Sequence, residues 1–362
     1  MPDSGHTQNL LPSRRRNRLA PEAYVEGVLQ GDRVTLARAI TVIESELESD
    51  AELAAQILQG VLPDAGDSLR VGITGVPGAG KSTFIDVLGL HIVRDRGEKV
   101  AVLSVDPSSP VSGGSILGDK TRMERLSAED RAFIRPSPSR GHLGGVARRT
   151  REVIVLCEAA GYRNILVETV GVGQSETAVR SMTDFFLLLM ISGAGDELQG
   201  IKRGILEMID AMAINKADGD NKLKAERARV EYATALHLFP PSPDGWVPQV
   251  VTCSALTGDG IPKMWETVLQ HRDKMQASGW FLRRRRQQAL NWMHELIISG
   301  LEAEFYRHPG VRSRLPFLED AVRASHATSY SAARELLALF RSRSNFPSGQ
   351  ASDPASSDEG KE

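Results

Sequence analysis

The sequence predicts an α/β fold with a mainly parallel sheet flanked by helices, a helical unit before the sheet and a helical arm after it. Between residues 69 and 275, short apolar runs alternate with amphipathic helical stretches. This alternation is typical of parallel sheets. On either side of that region, apolar residues recur at helical spacing. At about 150 residues per domain, 362 residues correspond to about 2.4 domains, so we expect two or three structural units.

Composition argues against several classes of protein. Lys and Arg number 44 against 46 Asp and Glu, so no basic excess favours nucleic acid or an anionic membrane surface. The longest apolar run, residues 185–191, is far shorter than the roughly 20 residues of a membrane span. No apolar segment follows the basic residues 14–18, so we expect no signal peptide. Cys157 and Cys253 each lie in an apolar segment, which favours core positions in a reducing cytoplasm.

Five regions follow one another along the chain. We expect disorder in the polar residues 1–20 and in the Ser-, Pro- and acid-rich residues 344–362. Residues 21–63 are predicted to form N-terminal helices, residues 64–279 the sheet-containing domain, and residues 280–343 a C-terminal helical arm.

The N-terminal helices are predicted from apolar residues at helical spacing. Gly31-Asp32 separates the first two helices, and Ser49-Asp50 is expected to cap the third. The apolar positions are Tyr24, Val28, Leu36, Ile40, Ile43, Leu47, Leu53, Ile57 and Leu58.

The central region is predicted to contain seven strands with helices between most of them. The strands are expected at residues 70–74, 100–105, 132–135, 164–168, 185–191, 211–214 and 249–253. The principal helices are expected at residues 81–94, 144–160, 198–209 and 221–238. After Trp280 an apolar helical stripe precedes the break at Pro309-Gly310 and two shorter helices. The stripe consists of Ala289, Met293, Leu296, Ile297, Leu301 and Phe305.

A glycine-rich segment after the first strand matches the P-loop pattern. Its glycines let backbone N–H groups face phosphate oxygens, and the helix that opens at Lys81 adds a favourable dipole. Lys81 is expected to reach the β- and γ-phosphates, and the Ser82 hydroxyl to bind Mg²⁺. The predicted fold is therefore that of a P-loop NTPase. The predicted phosphate-binding residues are Gly75, Val76, Pro77, Gly78, Ala79, Gly80, Lys81, Ser82 and Thr83.

Two later segments of the chain predict that the site recognises a guanine base. Asn215, Lys216 and Asp218 follow the strand at 211–214, where an aspartate can accept hydrogen bonds from guanine N1–H and the 2-amino group. Adenine would leave that carboxylate without a hydrogen-bond partner. Because an unpaired polar group in a binding site is costly, such a site discriminates strongly between guanine and adenine. GTPases place a backbone contact to guanine where Ser254, Ala255 and Leu256 stand in this chain.

Two carboxylates end apolar strands of the predicted sheet. Asp106 and Glu168 are expected at the ligand crevice, where either could hold Mg²⁺ through water, orient the attacking water, or only cap the next helix. Glu168 to Gly171 occupies the place of the D-x-x-G switch of common GTPases. We expect the Gly171 N–H to sense the γ-phosphate.

Three longer segments carry a resemblance to a known family. The loop from Asp106 to Met123, the segment ETVGVGQSE at 168–176 and the segment GAGDELQGIKRG at 193–204 resemble those of the methylmalonyl-CoA mutase-associated GTPases, the MeaB/ArgK-type proteins. These are G-protein chaperones of adenosylcobalamin-dependent acyl-CoA mutases. The resemblance covers residues 24–340 or thereabouts.

The resemblance implies further roles. The loop beginning at Asp106 would be switch I, with Asp119 facing Mg²⁺, and Glu168 would be the acidic residue of the metal site. Residues 196–202 would form a switch facing the mutase, and the C-terminal arm would build a homodimer. The implied protein is a cytoplasmic, Mg²⁺-dependent GTPase that gates cofactor loading and protection.

Lys202 is a candidate for a cation that activates hydrolysis. It follows the most apolar strand, in a glycine-rich segment that could adopt two conformations, and the mutase could bring it to the γ-phosphate. The alternative is a solvated lysine at the start of a helix.

Two other functions remain open on the sequence. One is a protein kinase or ATPase linked to amino-acid transport, the role in the older ArgK naming, but Asp218 argues against ATP. The other is a metallochaperone GTPase, which the lack of a Cys or His cluster disfavours.

Overall fold

The computed structural model describes residues 18–45, 47–105, 123–137, 143–169, 175–193, 203–240 and 242–342. The chain divides into two compact units, Met1–Arg285 and Arg286–Glu362. Apart from residues 18–20, the terminal segments predicted to be disordered lie outside the described residues.

The first unit opens with three helices, α1 (Pro21–Leu29), α2 (Arg33–Ile43) and α3 (Glu48–Val61). Asp32 caps α2 by accepting hydrogen bonds from the backbone N–H groups of Val34 and Thr35, at 3.3 and 2.8 Å.

The predicted cap of the third helix at Ser49-Asp50 is wrong. The α3 helix begins at Glu48, with Leu47 in the capping position. Asp50 lies within the helix and forms an ion pair with Arg18, whose Nε donates to Asp50 Oδ1 at 3.0 Å. The guanidinium gives this buried carboxylate a charged partner, and that partner lies 32 residues away in the sequence.

All seven predicted strands are present, and they form one parallel sheet. Its strand order is β3-β2-β4-β1-β5-β6-β7. Most of these strands are buried along nearly their whole length because helices cover both faces, which explains their continuous apolar runs. The strands are β1 (Leu69–Gly75), β2 (Val100–Val105), β3 (Ala132–Ser137), β4 (Asn164–Thr169), β5 (Phe185–Ile191), β6 (Ala211–Asn215) and β7 (Gln249–Thr252).

Helices connect these strands across the sheet. The first of them, predicted to reach residue 94, ends as an α-helix at Leu90 and continues as a π-helical turn, His91–Asp95. Of the helix predicted at 198–209, only Arg203–Leu206 is described as helical. The helices are α4 (Lys81–Leu90), α5 (Glu124–Ser127), α6 (Leu143–Ala159), α7 (Ser175–Arg180), α8 (Arg203–Leu206), α9 (Lys222–Leu236) and α10 (Ile261–Ala277).

Three further helices follow within the described residues up to Ser342. They are α11 (Trp280–Arg307), which contains the boundary between the two units, α12 (Pro309–Arg323) and α13 (Ser329–Ser342). The second unit has a small core of its own, made by Val311, Leu318, Ala332 and Leu336. Among the described residues, no helix is both long enough and apolar enough to cross a membrane.

Candidate nucleotide-binding site

The candidate site lies at the carboxyl ends of the central strands. β1 lies between β4 and β5, and the strands that follow β1 are distributed on both of its sides. Parallel α/β sheets bind ligands where the direction of strand addition reverses in this way. The carboxyl ends of β1, β4 and β6 therefore share one edge of the sheet, and the sequence assigns residues at or directly after each of these ends to nucleotide binding.

Two glycines shape the loop between β1 and α4. A Cβ on Gly75 would collide with the carbonyl oxygen of Leu189 on the neighbouring β5, so this strand end admits only glycine. Gly80 has φ +83° immediately before α4, and a Cβ there would lie 3.0 Å from Asn215 Nδ2. No described side chain caps α4, whose first backbone N–H groups are suited to bind an anion.

Lys81 folds back over this loop. Its Nζ donates to the backbone carbonyl of Gly75 at 2.9 Å and to that of Val76 at 3.4 Å. Burial lowers the pKa of Lys81, while the carboxylates of Glu168 and Glu176 raise it. The cation is thus held inside the loop, where the P-loop pattern places phosphate groups.

Ser82 and Glu168 bring the start of α4 and the end of β4 together. The Ser82 hydroxyl donates to Glu168 Oε1 at 3.1 Å, and Glu168 is only 9% exposed. Hydroxyl and carboxylate oxygens are ligands that Mg²⁺ prefers, so these residues fit that ion. Within the described ranges, no group of three or more His, Cys, Asp or Glu side chains could hold a metal ion.

Asn215 ties the phosphate loop to the predicted guanine loop. Its buried side chain donates from Nδ2 to the carbonyl oxygen of Ala79 at 2.7 Å. Its Oδ1 accepts from the backbone N–H of Ala255 at 3.0 Å and from the Cys253 thiol at 3.7 Å. One side chain therefore contacts both loops, since an amide offers a donor and an acceptor at opposite corners.

Asp218 is oriented by Ser254. The Ser254 hydroxyl donates to Asp218 Oδ1 at 2.7 Å and accepts from the backbone N–H of Thr257 at 3.2 Å. Lys216 has φ +59°, an unusual conformation for a lysine, and its carbonyl accepts from Asn221 Nδ2 at 2.7 Å. The structure thus brings the two predicted guanine segments into direct contact.

Several site residues fall outside the described residues. They are Asp106, Asp119, Gly171 and Lys202. The described strand before Gly171 ends with Thr169, whose hydroxyl donates to that of Thr74 on β1 at 2.8 Å. A side-chain hydrogen bond therefore joins β1 and β4 near their carboxyl ends.

Sequence reasoning missed two structural contributors to this site. Asn221 supports the backbone of Lys216, and Cys253, expected only as a core residue, also contacts Asn215. Neither stands in a recognisable motif. An indication in the sequence that Cys253 contributes to the site is its position at the end of a predicted strand, directly before Ser254.

A parallel sheet with a glycine-rich phosphate loop, a lysine–serine pair at the start of the following helix and an Asn-Lys-x-Asp loop defines a P-loop GTPase. Residues 36–309 match the family described as "Methylmalonyl Co-A mutase-associated GTPase MeaB". The chain belongs to this family. GTP hydrolysis is its activity, and GTP and GDP are its nucleotides.

Similar proteins agree with this assignment. A "Putative GTPase" of Caulobacter vibrioides is 51% identical over 313 residues, covering 86% of this chain and 95% of that protein. The "GTPase ArgK" of Escherichia coli is 51% identical over 266 residues, covering 74% and 80%. The mouse "Methylmalonic aciduria type A homolog, mitochondrial" is 46% identical over 348 residues, covering 93% and 83%.

A solved structure has the same fold. The crystal structure of a "LAO/AO transport system kinase" superposes with a TM-score of 0.69 at 36% sequence identity. The match covers 89% of this chain and 97% of that one. The predicted α/β P-loop fold is confirmed.

Proposed function

We propose that this GTPase binds an adenosylcobalamin-dependent acyl-CoA mutase, methylmalonyl-CoA mutase first among them, and gates the loading and protection of its cofactor. The observation that carries the proposal is the family match over residues 36–309, which includes every described nucleotide-site residue. The mouse relative's name, which refers to methylmalonic aciduria, supports the same partner.

The chain's own residues would perform the hydrolysis by positioning and charge. Lys81 would neutralise the β- and γ-phosphates, and the Gly171 N–H would sense the γ-phosphate. Ser82 and Glu168 would hold Mg²⁺, together with Asp106 or Asp119, directly or through water. The ion, when bound, neutralises charge on the phosphate oxygens.

We also propose a homodimer formed by the C-terminal arm, with the GTPase domain at residues 64–279 and the arm at 280–343. The apolar stripe predicted from the sequence supports this arrangement, because Met293, Ile297 and Leu301 on α11 are 46%, 50% and 56% exposed. Side chains at this spacing share one helix face, and an exposed apolar face of this kind favours association. The proposed compartment is the cytoplasm.

A binding measurement tests the partnership. Purified methylmalonyl-CoA mutase is titrated into the full chain in calorimetry, with GDP or with a non-hydrolysable GTP analogue. We expect a saturable complex whose affinity differs between the two nucleotides, and loss of that difference in Lys81→Ala, which lacks the phosphate-binding cation. Absence of a complex in both nucleotide states contradicts the proposal.

A protein kinase linked to amino-acid transport is the second candidate, because the solved relative carries a transport-kinase name. Radiolabelled γ-phosphate separates the two functions. A GTPase releases the label as inorganic phosphate, whereas a kinase transfers it to a partner protein. A metallochaperone would bind stoichiometric nickel in a metal titration.

A further inference from the structure

A cavity of about 600 Å³ lies between α2 and the outer strand β3. Two strands, β2 and β4, separate β3 from β1 and its phosphate loop, so this cavity is distinct from the nucleotide site. Its volume falls within the range of small-molecule pockets, about 300–1,000 Å³. The cavity is partly open, so a ligand can enter it from solvent.

One part of the cavity wall is apolar. Ala132, Phe133 and Ile134 of β3 line it and are themselves buried. Val34 and Ala37 line it from α2, at a spacing that puts them on one helix face. Val34 is 63% exposed, although the other large apolar residues of α2 are buried. The wall can therefore cover the apolar body of a ligand.

The remaining wall is strongly basic. Arg33, Arg38 and Arg135 line the cavity, and no acidic side chain does so among the described residues. Arg135 forms an ion pair with Glu44, yet its buried Nε has no hydrogen-bond partner in the described part of the chain. Arg33 makes one long contact, 3.5 Å from its Nη1 to the carbonyl of Asp130.

Arg38 is the most available of these cations. It is exposed, and it makes no hydrogen bond or ion pair with any residue that the structure describes. Two exposed guanidinium groups on one helix, beside an apolar wall, complement a dianionic group on an organic body. Guanidinium forks bind phosphate oxygens in a bidentate manner.

We propose that this cavity binds a small organic phosphate. Arg33 and Arg38 hold the phosphate group, and Val34, Ala37 and Phe133 cover the organic part. Thr41 and Ser127 also line the cavity, and because their hydroxyls donate to the backbone carbonyls of Ala37 and Glu124, they can accept hydrogen bonds from polar substituents. This site is independent of the proposed mutase partnership and of GTP hydrolysis.

Calorimetry with phenyl phosphate tests this site. The full chain is first saturated with GDP and Mg²⁺, so that the probe cannot occupy the phosphate loop. We expect one phenyl phosphate to bind per chain, with inorganic phosphate and phenol both weaker because each lacks half of the ligand. Arg38→Ala and Arg33→Ala should each weaken binding about tenfold or more, since each removes a charge-assisted contact.

Matched variants complete the experiment. Arg227→Ala removes an exposed helix arginine outside the cavity and should leave the affinity unchanged. Arg38→Lys keeps the charge without the fork and should give an intermediate affinity. Thermal unfolding of each variant establishes that the fold is intact.

Several results overturn the proposal. These are no binding to the GDP-saturated chain, equal losses in Arg38→Ala and Arg227→Ala, and phenol binding as tightly as phenyl phosphate. Binding of poly-glutamate without phenyl phosphate would identify a docking surface for an acidic protein segment instead.

Discussion

The side-chain amide of Asn215 donates to the carbonyl oxygen of Ala79 at 2.7 Å and thereby links the end of β6 to the phosphate loop. The same amide accepts from the N–H of Ala255. Phosphate binding and base recognition therefore share one buried side chain, and a change at Asn215 should affect both.

Substitutions at Asn215 separate its two hydrogen bonds. Asn215→Ala removes both and leaves a buried carbonyl and a buried N–H without this partner, which should lower the free energy of unfolding by about 2–3 kcal/mol. Asn215→Asp keeps the acceptor for Ala255 but opposes a carboxylate to the Ala79 carbonyl. It should weaken GDP binding roughly tenfold or more.

Urea unfolding and GDP calorimetry measure these effects. Asn291→Ala, an exposed position on α11, serves as the control and should change neither quantity. If Asn215→Ala had the same free energy of unfolding as that control, the hydrogen bonds from Asn215 to the two loops would contribute nothing to stability.

Asp218 should determine the choice of base. Asp218→Asn is expected to weaken GTP binding by about 10²-fold or more, because two hydrogen bonds to a charged group are lost. It should improve binding of xanthosine triphosphate, whose 2-oxo group accepts from an amide. Ser254→Ala removes the hydroxyl that orients Asp218 and accepts from the Thr257 N–H. It should modestly weaken the binding of both GTP and xanthosine triphosphate.

Calorimetry with GTP, ATP and xanthosine triphosphate checks this expectation. A wild-type chain that binds ATP as tightly as GTP, or a variant with an unchanged preference, would contradict the role of Asp218.

The two buried thiols should make stability fall in mild alkali. Burial raises the pKa of Cys253 to about 12, and burial together with the Glu158 carboxylate raises that of Cys157. A thiol in the unfolded chain ionises near pH 8.5. Below that pH each thiol is protonated in both the folded and the unfolded chain, so its ionisation does not lower the free energy of unfolding. Above it, the free energy of unfolding should fall by up to about 1.4 kcal/mol per pH unit for each thiol.

Denaturant unfolding between pH 7.5 and 9.5 measures this slope. Cys253→Ala lowers the absolute stability by altering packing, but the informative quantity is its smaller slope above pH 8.5. Equal slopes in the variant and the wild type would show that Cys253 ionises equally well in the folded chain.

The arm should hold the proposed homodimer together through α11. Ile297→Glu combined with Leu301→Glu places two charges on its exposed apolar face and should raise the dimer dissociation constant by about 10³-fold. Leu223→Glu, at a 74% exposed leucine on α9, is the matched control and should remain dimeric. Sedimentation velocity distinguishes the forms, and a double variant that is still dimeric excludes this face as the interface.

Lys202 should affect the rate of GTP hydrolysis only when the partner mutase is bound. Lys202→Ala is expected to preserve GTP affinity and the basal hydrolysis rate while removing most of the stimulation by the mutase. Cations supplied to a γ-phosphate in this way contribute about 10³–10⁵ in rate where they act. Lys222→Ala, at the start of α9, is the control. Full stimulation of the Lys202 variant would place the activating charge elsewhere.

Much of the fold could be predicted because its determinants are local. The apolar run at 185–191 specifies a buried strand by itself, and the glycines before Lys81 specify the phosphate loop by their backbone requirements. Local sequence patterns fail to predict a residue's role where its partner is distant in the sequence. Asp50 resembled a helix cap, but Arg18 takes it as an ion-pair partner.

The candidate site shows the same division. The segment from Asn215 to Asp218 could be assigned to guanine from its residues and spacing, but not the hydrogen bond from Asn215 to Ala79, because 136 residues separate the two. The basic cavity could not be predicted from the sequence either. Its wall combines residues from α2 and β3, which meet only in the folded chain.

Loading of cofactor-free methylmalonyl-CoA mutase with adenosylcobalamin tests the central claim most directly. The absorbance of bound cofactor is followed with the full chain and GTP, with GDP, or with Lys81→Ala and GTP. We expect the nucleotide to set the extent or rate of loading with the wild-type chain, and the Lys81 variant to show no nucleotide dependence. Identical loading under all three conditions, and without the chain, would contradict the account.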